Sequence, residues 1–172
     1  MKKKISITLT LLFILLGCSH TNRGTVVRID PKEIKDTDAN YGSEDFHIFT
    51  RSMIQSMLHA EVLGSDTPYI TLSEIKMGRG IDEHIDTKLI ENSIRTNLIK
   101  SKKVQFLDHE YMKKQEKDID ADYILSGDIH AIKKDTLHTV DNFYMLSLRL
   151  TNSKTSLIVW TKDKEIRKVM EK

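Results

Sequence analysis

Phe143-Tyr144-Met145-Leu146-Ser147-Leu148-Arg149-Leu150-Thr151 sets an apolar residue at every second position: Tyr144, Leu146, Leu148 and Leu150. Side chains on a strand alternate between the two faces of a sheet, so this stretch predicts a strand with one face in the core. Upstream, Tyr123–Ile132 repeats the pattern through Tyr123, Leu125, Ile129 and Ala131. Downstream, Asn152-Ser153-Lys154-Thr155 reads as a turn, and Leu157-Ile158-Val159-Trp160 as the core of a final strand emerging into Lys162-Asp163-Lys164-Glu165. Three strands joined by short connections predict two antiparallel pairings.

The first half of the chain changes period. Phe46, Phe49, Met53 and Met57 recur at helical spacing, with Ile54 and Leu58 widening the stripe. Ser43 reads as the N-cap, Glu44 and Asp45 suit the positive end of the helix, and Gly64 with Pro68 marks its end. Tyr69–Met77 is short and β-branched, a strand whose apolar parity shifts at Ser73-Glu74, implying a bulge or burial on both faces. Asp86 caps a second helix over 87–100, with Ile85 and Ile90 as a hydrophobic staple and Ile90, Ile94 and Leu98 as its buried stripe. Val104–Leu107 reads as another strand, so the two strands flanking this helix form a parallel crossover. A short helix is expected at Glu110–Lys117. The fold class is α+β, or mixed α/β: a four- to five-stranded mixed sheet flanked by helices.

At 172 residues, 39% hydrophobic and 30% charged, the chain accommodates one domain, placed at residues 41–172. The formal charge of +2 is concentrated at one end. Met1–Cys18 consists of the basic run Lys2–Lys4, an apolar stretch from Ile5 to Leu16, and Gly17-Cys18. Twelve helical residues span about 18 Å, too little for a hydrocarbon core of about 30 Å, so the segment reads as a secretory signal covering 1–17. Leu15-Leu16-Gly17-Cys18 resembles the lipobox of bacterial lipoproteins, which implies cleavage before Cys18 and acylation of its thiol. Leu16 is bulkier than the usual residue there. Cys18 is the only cysteine, so it has no internal disulfide partner. The cleaved chain carries 24 Lys+Arg against 25 Asp+Glu, which removes the charge argument for nucleic-acid binding. Residues 18–40 are the lipidated cysteine and a polar tether, whose 22 residues after Cys18 reach at most roughly 75 Å. Ser19 stands where many inner-membrane lipoproteins carry Asp, which favours the outer membrane.

Candidate chemistry is sparse. The seven histidines (20, 47, 59, 84, 109, 130 and 138) form no HExxH or HxH arrangement, so no metal is expected. Gly78-Arg79-Gly80 lacks the third glycine of a dinucleotide fingerprint, and the next helix begins too late for one. Asp118, Asp120 and Asp122 lack the Gly and the final Glu of a Ca²⁺-binding loop, and Asp122 fits a strand entrance better. No nucleophile–base pair follows from spacing. No enzyme activity, cofactor or small-molecule substrate is expected. Loops on a rigid scaffold often carry function, so the loop 78–86, with Arg79, Glu83 and His84, is the candidate docking surface.

Several stretches resemble one family. Glu83-His84-Ile85-Asp86-Thr87, Ile94-Arg95-Thr96, Lys103-Val104-Gln105-Phe106, Ala121-Asp122-Tyr123-Ile124-Leu125-Ser126-Gly127, Tyr144–Asn152 and Ile158-Val159-Trp160 follow, in order, the pattern of the LpoB family. These are outer-membrane lipoproteins that activate class A penicillin-binding proteins. The resemblance implies a domain related to the N-terminal domain of TolB. It also implies a function without catalysis: docking on a class A penicillin-binding protein and stimulating peptidoglycan synthesis from a lipid anchor facing the periplasm. Well-known members carry a long Pro-rich tether, whereas Ser19–Asn40 is short and holds one proline. The rival expectation is a structural, assembly or surface-displayed lipoprotein with a TolB-like domain, for example an accessory of a curli-type export system.

Overall fold

A computed structural model describes residues 38–64, 66–79, 81, 85–108, 111–112 and 119–172. Its elements are α1 (Ser43–Leu58), a 3₁₀ turn (Glu61–Leu63), β1 (Tyr69–Met77), α2 (Thr87–Ser101), β2 (Gln105–Phe106), β3 (Tyr123–Asp135), β4 (Thr139–Asn152) and β5 (Ile158–Glu171). The five strands form one sheet in the order β2-β1-β3-β4-β5. β1 pairs in parallel with both β2 and β3, while β3–β4 and β4–β5 are antiparallel. The fold is α+β with a mixed sheet, as the two hydrophobic periods predict.

On β4, Tyr144, Leu146, Leu148 and Leu150 are fully buried, and the alternate residues Phe143, Met145, Ser147 and Arg149 are not. The same parity continues through Leu125, Ile129 and Ala131 on β3. Phe49, Met53, Ile54 and Met57 of α1 and Ile90, Ile94 and Leu98 of α2 join them in a single core, so the helices cover one face and leave the other open. Gly127 on β3 is required by close packing: a Cβ there would lie 2.5 Å from Leu148 Cδ2 and from the Ser147 carbonyl.

The parity shift in β1 is a bulge, since register slips between Leu72 and Ile75. The Ile75 N–H instead donates to Glu91 Oε1 of α2 at 2.9 Å, and Lys88 Nζ donates to Glu91 Oε2 at 3.0 Å. A buried carboxylate on the helix thereby satisfies a ladder donor. Asp122 clamps two strand starts: its Oδ2 accepts from Tyr69 N at 2.9 Å, and its N–H donates to Tyr69 O at 2.8 Å.

Local ends depart from the sequence reading in three places. The N-cap of α1 is Gly42, not Ser43, because the Asp45 carboxylate reaches back to the Gly42 N–H at 2.9 Å. α1 stops at Leu58 rather than near Gly64; Lys103 Nζ takes the Leu58 carbonyl at 2.9 Å, and Gly64, at φ +59°, closes the 3₁₀ turn instead. The final strand runs well past its apolar start at Leu157–Trp160, and that start is not fully covered. Leu157 and Ile158 are 64% and 59% exposed, Val159 and Trp160 are half-buried, and the strand runs on to Glu171 along the sheet edge. The expected helix at 110–117 lies outside the described residues except for helical Tyr111 and Met112.

Packing reaches back before Tyr41. Ala39 is buried; its carbonyl accepts from Asn142 Nδ2 at 2.8 Å and Tyr144 OH at 3.3 Å, while Lys168 Nζ holds the Asn40 carbonyl at 2.6 Å. Burial raises the Tyr41 phenol well above its ordinary range, and the Asp45 charge adds to that.

Candidate functional site

The loop after β1 departs from a fixed point. Gly78 N–H donates to the Ile129 carbonyl at 2.7 Å, and its Cα lies against the His130 imidazole so closely that a Cβ would sit 2.1 Å from Nδ1. Arg79 follows at the surface. At the far end Ile85 is buried with Ile90, which forms the expected staple, and Asp86 Oδ1 accepts from the Leu89 N–H at 3.0 Å. Both ends of the loop are therefore anchored to rigid elements. Glu83 and His84 lie outside the described residues, as do Cys18 and residues 1–37.

Beside this exit, on the face the helices leave open, a polar cluster crosses β3 and β4. His130 Nε2 lies 2.7 Å from Asp128 Oδ2, and Arg149 Nη1 lies 3.6 Å from Asp128 Oδ1. One carboxylate stands between an imidazole and a guanidinium, all three partly exposed, an arrangement suited to polar recognition. Sequence reading missed this cluster because it treated His130 as one of several scattered histidines. Its signal was weak: Asp128 and His130 share strand parity, but Arg149 joins them only once the β3–β4 register is known.

Further along the open face, Arg167 makes a two-bond fork with Asp141, Nε to Oδ1 at 2.9 Å and Nη2 to Oδ2 at 2.8 Å. That hydrogen bond holds the Asp141 carboxyl below its usual range, and the Arg167 and Lys134 charges add to the effect. Ile132 and Phe143 border the same shallow groove. Among the described residues, no group of three His, Cys, Asp or Glu side chains could hold a metal ion, and no helix is long and apolar enough to cross a membrane.

The fold and its order of elements can be set beside known proteins. The family model for the peptidoglycan-synthase activator LpoB matches residues 45–120 and 107–166, which together span nearly all of the packed chain. The chain belongs to the LpoB family. Solved LpoB C-terminal domains share its fold. That from Salmonella enterica aligns with TM-score 0.50 at 13% identity, covering 72% of this chain and 99% of that one. That from Escherichia coli aligns with TM-score 0.51 at 14% identity, covering 71% and 98%. No curated protein sequence matches the chain. The LpoB description is that of a regulator of a synthase, not of the synthase itself.

Proposed function

We propose that this LpoB-family chain is an outer-membrane lipoprotein, anchored through Cys18 and facing the periplasm, that binds and stimulates a class A penicillin-binding protein. The observation that carries this reading is the family match across residues 45–166, which takes in both helices and almost the whole sheet. Residues 1–17 act as the signal peptide, 18–40 hold the lipid anchor and tether, and the rest forms the docking domain. Two or three acyl chains, at about 0.8 kcal/mol per buried CH₂, make a durable anchor.

Such a protein acts without catalysis of its own. An activator shifts its partner only by binding the active conformation more tightly than the inactive one. A tenfold shift requires about 1.4 kcal/mol of differential affinity, which a few polar contacts supply. The loop 78–86 is the proposed docking element, with Arg79, Glu83 and His84 contributing charge and hydrogen bonds. Arg79 is exposed, and the two ends of the loop, at Gly78 and at Ile85-Asp86, are held to packed elements, which supports this choice.

The test uses the full lipidated chain in detergent. Mixed with each class A penicillin-binding protein of the same cell, it should raise lipid II consumption by one of them. Arg79→Gln should reduce that stimulation while leaving thermal unfolding unchanged. Absence of binding and of any rate change with every synthase would overturn the activator reading in favour of an assembly or surface role.

A further inference from the structure

Gly78, the residue after β1, is a glycine that its own backbone does not demand. Among the described glycines only Gly64 adopts a positive φ, so Gly78 needs no left-handed conformation. What excludes a side chain there is the His130 imidazole. A Cβ on Gly78 would lie 2.1 Å from Nδ1, 2.3 Å from Cε1 and 2.7 Å from Cγ. Because Cγ is the root of the ring, turning its far end does not relieve the overlap. Nor can the backbone withdraw cheaply, since the Gly78 N–H is bonded to the Ile129 carbonyl at 2.7 Å.

The ring is itself held. A carboxylate only accepts hydrogen bonds, so His130 Nε2 carries a proton and donates it to Asp128 Oδ2, which leaves Nδ1 and Cε1 against Gly78. Arg149 Nη1 stands 3.6 Å from the other oxygen of the same carboxylate. The contacts thus run from Arg149 on β4 through Asp128 and His130 on β3 to Gly78. They fill no core: the His130 side chain is 43% exposed, and the buried residues of β3 lie on the opposite parity. What they hold is the point where the chain leaves β1. Arg79 comes next, exposed, and no described contact of its own side chain fixes it.

We propose that His130 is the positioning residue for Arg79, an inference that rests on the reading of Arg79 as a docking contact. Held by Asp128, the imidazole is a flat stop against Gly78. It fixes the direction in which the chain leaves β1, and with it the place from which Arg79 reaches a partner. A contact residue whose backbone is already held needs less ordering to meet that partner. His130 acts through Arg79 and does not itself touch the synthase. Removing the ring frees the backbone at Gly78-Arg79 and weakens docking. Removing the Asp128 carboxylate does the same by freeing the ring.

Two measurements on the full lipidated chain in detergent test this. With no synthase present, the backbone ¹⁵N order parameter of Arg79 should fall from about 0.85 to below about 0.6 in His130→Ala. Asp128→Ala should lower it too, whereas Asp128→Asn, which keeps an acceptor for Nε2, should not. With the responsive synthase, His130→Ala should raise the concentration for half-maximal stimulation of lipid II consumption at least fivefold, a shift in concentration rather than in the maximum. In an Arg79→Gln background the same change should have no further effect, because His130 acts through Arg79. Additive effects of the two substitutions would overturn the proposal. So would an Arg79 order parameter unchanged in both His130→Ala and Asp128→Ala. A wild-type chain that stimulates no synthase would remove the docking role together with the activator reading, and the order parameters would still decide whether His130 holds Arg79.

Discussion

β4 and β5 are both 14 residues long and lie side by side, yet they use the helix-facing side of the sheet in opposite ways. β4 offers Tyr144, Leu146, Leu148 and Leu150, all fully buried. Opposite them, β5 places Ile166, Lys164, Lys162 and Trp160, none fully buried. The cause is position: β4 lies beneath the helical layer, while β5 is the sheet edge. At the edge, long lysines reach the rim of α1, as Lys162 does to Ser56 Oγ at 3.0 Å and Lys168 to Asp45 Oδ2 at 3.0 Å. Charged side chains on an edge also discourage pairing with another chain. The same backbone period thus serves a core strand or a guarded edge, according to where the strand lies in the sheet.

The largest expected effect tests the covered strand. Leu148→Ala removes a fully buried side chain whose Cδ2 fills the space left by Gly127, and should cost about 3–5 kcal/mol. Denaturant unfolding measures it; a loss below about 1 kcal/mol would show that β4 is not the packed centre. Next comes a polar group inside the covered region. Glu91→Ala strands the Ile75 N–H at the bulge and should cost about 1–3 kcal/mol, with faster hydrogen exchange at Ile75. Unchanged exchange there would mean that water replaces the carboxylate without penalty.

At the edge the expected loss is smaller. Trp160→Ala would cost about 3–5 kcal/mol for a fully buried tryptophan. Trp160 is half-buried, so the expected loss is about 1–2 kcal/mol, below that of Leu148→Ala. A reversed order in the same unfolding experiment would break the distinction between core strand and edge.

These residues also show where the sequence was legible. Strict alternation in β4 fixed both its class and its buried face, because a one-residue slip would expose four large apolar side chains. The Tyr69–Met77 strand, its irregularity at Ser73-Glu74 and the Asp86 cap were equally readable, since each depends on neighbours within a few residues. The exposure of β5 was not readable, because a four-residue apolar run looks the same at an edge as in a core, and only the strand order distinguishes them. The Asp128–His130–Arg149 cluster was unreadable for a related reason. Its members come together through strand register, which local pattern does not encode. Of the candidate docking residues, the structure describes only Arg79, exposed at the start of a loop whose two ends are fixed.

The smallest effect lies on the open face, where β4 and β5 meet through charge. The Arg167 fork holds the Asp141 carboxyl below its ordinary value, so the folded state binds its proton less readily than the unfolded state does. The stabilisation this gives is present above the unfolded carboxyl pKa of about 3.9 and is lost as pH falls through the folded value. Both side chains face solvent, so the contribution to stability is slight and salt should weaken it further. The titration itself is the sensitive readout. Arg167→Gln should move the Asp141 carboxyl, followed by its ¹³C shift against pH, upward toward the ordinary carboxylate range, with Lys134 left as a weaker neighbour. An unmoved midpoint in that variant would mean that the fork does not persist in solution. The open face would then join β4 to β5 by the backbone ladder and the Thr161 hydroxyl on the Leu148 carbonyl.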